Sequence, residues 1–238
     1  MSTFAAILWK DLVTEWRSRD RVVAMLVFSL LVVIVYHFAL PDGTRSSSAT
    51  IGVPGLPGLP SGGGLEANAP GLLWVAYLFA SILGLNRAFA LELENEALSG
   101  LALAPVDRGW LFLGKACASF ALICIAEAVT AVAFALVFDL DLIPVALPLA
   151  AIVALGTAGV CSAGTLFAAM TVRTRFREVL LPILLLPALF PVLSGAVRGT
   201  AAALAGEGVV FDALQLLIVV DGIYLVTGFL LFEFVLDE

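Results

Sequence analysis

"APGLLWVAYLFASILGLNRAFALELENEALSGLALAPVDRGWLFLGK", residues 69–115, decides the fold. Residues 70–89 are predominantly apolar. Three glutamates, Glu92, Glu94 and Glu96, then fall within five positions, Pro105 follows, and from residue 111 the chain is apolar again. About 20 apolar residues cross a bilayer as a helix. The stretch therefore reads as a membrane span, a polar segment at the surface, and the start of a second span.

The whole chain agrees. Of 238 residues, 62% are hydrophobic and 13% charged, and the mean hydropathy is +1.11. A soluble domain of this length could not hide that much apolar surface, so lipid is the solvent for most of it. Six runs have spanning length: about 22–40, 70–89, 111–138, 143–170, 179–197 and 211–235. The expected fold class is an all-α membrane protein in one domain over 1–238. The first run is too long for a signal-peptide core, so cleavage is not expected. Residues 42–69, with "PGLPGLPSGGG", are too rich in Pro and Gly for helix or strand and read as an outer loop. There is no internal repeat.

Orientation follows from the cations. Ten of the twelve basic residues fall on one side: Lys10, Arg17, Arg19 and Arg21, then Arg87, Arg108 and Lys115, then Arg173, Arg175 and Arg177. Arg45 and Arg198 fall on the other. The positive-inside rule makes the crowded side cytoplasmic and puts both termini there. The net charge of -7 says little beside this asymmetry, and nothing points to a nucleic-acid partner.

Two cytoplasmic segments are amphipathic. In residues 4–21, Ala5, Leu8, Trp9, Leu12, Val13 and Trp16 share an arc opposite Lys10, Asp11, Thr14, Glu15 and Arg17, which predicts a helix lying in the headgroup region before span 1. In residues 91–105, Glu92, Asn95, Glu96 and Ser99 share a face opposite Leu91, Leu93, Ala97, Leu98, Leu101 and Ala104. Pro105 ends that helix. Its acidic face either docks a partner or is simply solvated.

The end of the opening stretch has the spacing G-x-x-x-x-G-K at Gly109, Gly114 and Lys115. Ala116 replaces the Ser or Thr that would hold Mg²⁺, the intervening Trp110, Leu111, Phe112 and Leu113 suit lipid, and no strand precedes them, so this is no phosphate loop. Lys115 reads as a residue snorkelling from the cytoplasmic end of span 3.

Three segments resemble the heme exporter protein B family: "KDLVTEWRSRDR" (10–21), residues 69–115, and "TRFREVLLPILLLPALFPVL" (174–193). The middle one combines G-L-L-W, L-x-R-x-F, E-x-E, L-x-L-A-P and G-K in order. The resemblance implies an ABC-2-type permease bundle, non-catalytic, in the inner membrane, acting in cytochrome c maturation. It implies an ABC ATPase subunit that alone binds ATP, the haem-handling maturation protein C, a small single-span subunit, a periplasmic haem chaperone and a second copy as partners, with haem as a transported or partner-held ligand. Residues 91–105 are similar to the coupling helix of related exporters, which makes Glu92, Glu94, Glu96, Leu98, Leu101 and Pro105 the expected ATPase contacts. Here Glu96 stands near the usual glycine and Ser99 near a common acid. The alternative is an ABC-2-type exporter of a lipid or polysaccharide.

The remaining chemistry-bearing residues are few. Cys117, Cys124 and Cys161 lie in apolar runs without metal or haem-attachment spacing and read as small buried side chains. His37 is the only histidine; as a haem ligand it would act alone, and an interfacial polar role suits it better. Glu127 and Asp221 lie deep in spans and should face the bundle or be neutral. Each is either a polar lining or subunit contact, or an acid hydrogen-bonded to a neighbouring helix. A rival reading, an intramembrane enzyme, needs a reactive constellation on the spans, and these two acids without a histidine or nucleophile are too little for it. Pro182, Pro187 and Pro191 should kink span 5.

Overall fold

A computed structural model describes residues 20–39, 65–94, 108–140, 142–171, 174, 176–206 and 211–237, together with Trp9 and Val13. Six helices follow one another: α1 (Asp20–Ala39), α2 (Leu65–Glu94), α3 (Arg108–Phe138), α4 (Ala146–Thr171), α5 (Arg177–Leu204) and α6 (Phe211–Asp237). No strand occurs among the described residues, and all six helices are long and apolar enough to cross a membrane. Trp9 and Val13 are helical and exposed; the rest of the expected interfacial helix before residue 20 lies outside the described residues.

The helices alternate in direction, as cross-helix contacts show. The start of α1 meets the end of α2 through Asp20 and Arg87, 3.3 Å apart and both exposed. The start of α3 meets the end of α6, where Arg108 Nη1 donates to the Glu233 carbonyl at 2.9 Å. Both chain-terminal helix ends therefore share one side, here the terminal side, with the α2–α3 and α4–α5 connections. The far side holds the other three connections.

α4 is the central strut. It packs most extensively on α5 and α6 and also on α2 and α3, whereas α1 packs mainly on α2 and α3. The burial patterns match. α1 buries one narrow stripe, Arg21, Met25, Ser29 and Val33, at a spacing of four, while Val23, Val27, Leu31 and Ile34 face outward. α5 turns Leu181, Leu185, Leu189, Val192 and Ala196 fully inward and runs unbroken through its three prolines. Outward apolar side chains on such helices carry no penalty in hydrocarbon, so a single packed stripe suffices to seat a helix.

Several helix ends differ from the sequence expectations. α2 starts at Leu65 rather than 70, with Pro70 inside it, at the loss of one bond to the Glu66 carbonyl. It also runs without a break to Glu94, so the first residues of the expected surface helix continue α2. α5 extends to Leu204 rather than 197. Arg198 does not stop it, because its side chain is exposed beyond the packed stripe; the stop is Gly206 at φ 74, a left-handed residue after the C-cap. α3 ends in the same way: Asp139 sits at φ 54 and Leu140 N donates to the Ala135 carbonyl at 3.0 Å, the six-to-one bond of a Schellman motif.

Candidate functional site

Most bundle interiors in lipid hold carbon against carbon, because a buried polar atom without a partner costs several kcal/mol there. This one contains a polar layer. Ser29, Glu127, Thr157 and Asp221 stand ten or eleven residues from the far-side helix ends Ala39, Phe138, Ala146 and Phe211. At 1.5 Å per residue they lie at one depth, about 15–17 Å in.

Five of the six helices contribute to that layer. Thr157 Oγ1 on α4 donates to Glu127 Oε2 on α3 at 2.6 Å. Tyr77 Oη on α2 donates to the Glu127 carbonyl at 3.1 Å. Thr130 Oγ1 donates to the Ala126 carbonyl at 2.7 Å and Ser29 Oγ to the Leu26 carbonyl at 3.2 Å, and the two hydroxyls lie 2.8 Å apart in a bond that either can donate. Nearer the far side, Trp74 Nε1 on α2 donates to Thr200 Oγ1 on α5 at 2.9 Å. Asp221 belongs to the layer by depth and burial, but neither of its carboxyl oxygens has a hydrogen-bond partner among the described residues. One turn on, Tyr224 Oη donates to the Ala188 carbonyl, beside the Pro187 carbonyl that Pro191 leaves without its helical donor.

The terminal side is organised differently. α3 begins with Arg108, and its first turn is locked to α6 by two reciprocal insertions. The Phe229 ring lies against Gly109 so closely that a Cβ there would overlap it, and the Phe112 ring does the same at Gly228. Phe112 also stacks on Phe232, centroids 5.5 Å apart, and Trp110 meets Phe229 edge-on at 6.2 Å. The glycine that suggested a phosphate loop is thus the seat for an aromatic ring inside a continuous helix.

Other expectations come out as follows. Glu127 and Asp221 both face the bundle, 3% and 5% exposed. Glu92 and Glu94 fall in the last turn of α2, while Glu96, Leu98, Leu101 and Pro105 lie outside the described residues. Lys115 does not snorkel. It is 5% exposed, because α3 starts at Arg108 and carries Lys115 two turns inward on its packed face. Of the cysteines, Cys161 is buried and Cys124 half-buried, but Cys117 is exposed, on the outward face of α3 where lipid accepts a thiol as readily as a methyl group. His37 is half-buried between Phe38 and Phe138, with centroids at 5.4 and 6.1 Å, so it sits in an aromatic cluster at the far end of α1. Sequence reasoning missed Thr157 and Tyr77 as the partners of Glu127, the Trp74–Thr200 tie and the Phe–Gly clasp. The signals present were polar side chains within apolar runs and glycines within helices.

Comparison with known proteins bears on the same architecture. The chain matches the CcmB protein family over residues 2–235. It is 38% identical over 147 residues to heme exporter protein B of Paracoccus denitrificans, covering 60% of this chain and 66% of that protein. It is 36% identical over 134 residues to heme exporter protein B of Rhodobacter capsulatus, covering 56% and 61%, and 31% identical over 147 residues to the protein of that name from Pseudomonas aeruginosa. The matched stretches thus span a little under two thirds of these relatives. With a match over nearly its whole length and six helices of membrane-spanning character, the chain belongs to the CcmB protein family.

Proposed function

We propose that this chain is the permease subunit of a haem-exporting ABC-type assembly in the inner membrane, acting in cytochrome c maturation. It would carry no ATPase of its own. A separate ATPase subunit would press on residues 91–105, and the resulting movement would serve haem delivery or release of a haem-loaded periplasmic chaperone, with a haem-handling subunit, a small single-span subunit and a second copy of this chain as partners.

The observation that carries this reading is the attachment of α3. The polar connection after Glu94 leads directly into Arg108 and Gly109, and that first turn is clasped to α6 by Phe229 and Phe112. A push that reaches Arg108 is passed to α6 through this clasp. It displaces α3 and α6 together against the central α4. The names of the relatives, heme exporter protein B, supply haem as the substrate class.

Deletion and complementation test it. Loss of this gene should abolish c-type cytochromes and the intact gene should restore them. The tagged chain should bring down an ATPase subunit, and the pair Glu92→Ala and Glu96→Ala should lower cytochrome assembly about tenfold without removing the chain from the membrane. Unchanged cytochromes on deletion would overturn the haem assignment; intact assembly in the double variant would overturn the coupling assignment alone.

A further inference from the structure

The two acids of the polar layer are not equivalent. Glu127 is tied to Thr157 at 2.6 Å and is accounted for as a link between α3 and α4. Asp221 is 5% exposed, and neither carboxyl oxygen is hydrogen-bonded by a described residue. It occupies the packed stripe of α6 between Ala213 and Leu217 on one side and Gly228 and Phe232 on the other, where the four-residue periodicity calls for an apolar side chain. Its Oδ1 points at Gly159 of α4, where any Cβ would overlap it, with Val192 of α5 beside the same point.

An ionised carboxylate in such surroundings needs a compensating cation. No described side chain provides one. Gly159 and Val192 face it from α4 and α5, and the acid of α3, Glu127, is held by Thr157. Thr157 and Gly159 are two residues apart, about 200° around α4 at 3.6 residues per turn, so the two acids lie on opposite faces of that helix. On α6 itself the titratable neighbour is Tyr224, whose hydroxyl is spent on the Ala188 carbonyl. A metal ion would need a shell of several oxygen or nitrogen ligands, and glycine and valine side chains offer none. A proton needs only the carboxylate.

We propose that Asp221 is a proton-binding site whose occupancy follows the packing of α6 against α4 and α5. With the three helices closed as here, the group is the neutral acid. When α6 moves away from Gly159 and water reaches the carboxyl, the O–H bond breaks, the proton passes to water and the carboxylate remains. Closure takes the proton back. Each opening of this junction thereby releases one proton, and the site requires glycine at 159 to close.

Infrared difference spectroscopy on the full chain in lipid nanodiscs, with whatever subunits co-purify, reads this directly at neutral pH. Wild type minus Asp221→Asn should contain the C=O stretch of a protonated carboxyl. In Gly159→Leu, which wedges α6 outward, that band should fall at least twofold, with carboxylate bands rising in its place. Should Gly159→Leu not fold, Gly159→Ala is the smaller wedge, and wild type minus Asp221→Glu replaces the first difference if the Asn variant is lost. Carboxylate bands in place of the protonated band in the wild type minus Asp221→Asn difference, or a protonated band that the wedge leaves unchanged, would overturn the proposal. Neither reading depends on what the assembly transports.

Discussion

At the scale of single residues, the polar layer shows how few hydrogen bonds order a bundle in lipid. Thr157 supplies the donor to Glu127 Oε2; replacing it by Val keeps the shape and strands the carboxyl. Thr157→Val should therefore cost about 1–2 kcal/mol, whereas Glu127→Gln, which still accepts from Thr157, should cost less. Reversible unfolding in mixed micelles measures both, and equal costs would show that Thr157 is not the partner that matters. The Trp74–Thr200 bond joins helices 126 residues apart in sequence. A double-mutant cycle of Trp74→Phe and Thr200→Val should give a coupling of about 0.6 kcal/mol and at most about 1.7, the span known for such bonds in membranes.

At the scale of elements, α3 and α6 behave as one piece on the terminal side. Two phenylalanine rings lie against two glycines so closely that a Cβ at either would overlap them, which holds the two helices close. Phe112→Ala, at a fully buried ring, should cost about 3 kcal/mol by the usual range for buried aromatic truncation, and Gly228→Leu about 1–3 kcal/mol by overpacking against Phe112. Spin labels on Trp110 and Glu233 should report a single narrow distance in the parent chain and a broadened one in Gly228→Leu. An unbroadened distribution would mean that the α3–α6 contact does not depend on the glycine. α1, in contrast, is held by one stripe, so substitutions at its outward Val27 or Leu31 should leave stability unchanged.

At the scale of the molecule, six helices alternate around α4, with both chain-terminal helix ends on one side. The basic residues at that side, Arg21, Arg87, Arg108 and Lys115, give it the sign expected of the cytoplasmic face. In a variant with Cys117, Cys124 and Cys161 replaced by Ala, a new cysteine at Ser47 should react with a membrane-impermeant maleimide from outside. One at Ser2 should react only after the membrane is opened. The reverse pattern would invert the topology.

The count of spans, their all-helical character and the inward placement of Glu127 and Asp221 were legible in the sequence, because hydrocarbon imposes a length on every crossing and a cost on every buried charge. Gly109 to Lys115 could likewise be excluded as a phosphate loop, from Ala116 and from the apolar Trp110, Leu111, Phe112 and Leu113. Which polar groups pair was not legible. Thr157 with Glu127, Trp74 with Thr200 and Phe229 with Gly109 are meetings of residues far apart in the chain, and in lipid outward and inward faces are equally apolar, so periodicity does not point to the partner. The burial of Lys115 was missed for the same reason: a shift of three residues at the start of α3 carried it from the surface into the core. Length and hydropathy determine that this chain is a six-span bundle; only close packing, helix against helix, decided that one of its two acids is bonded and the other is left facing a glycine.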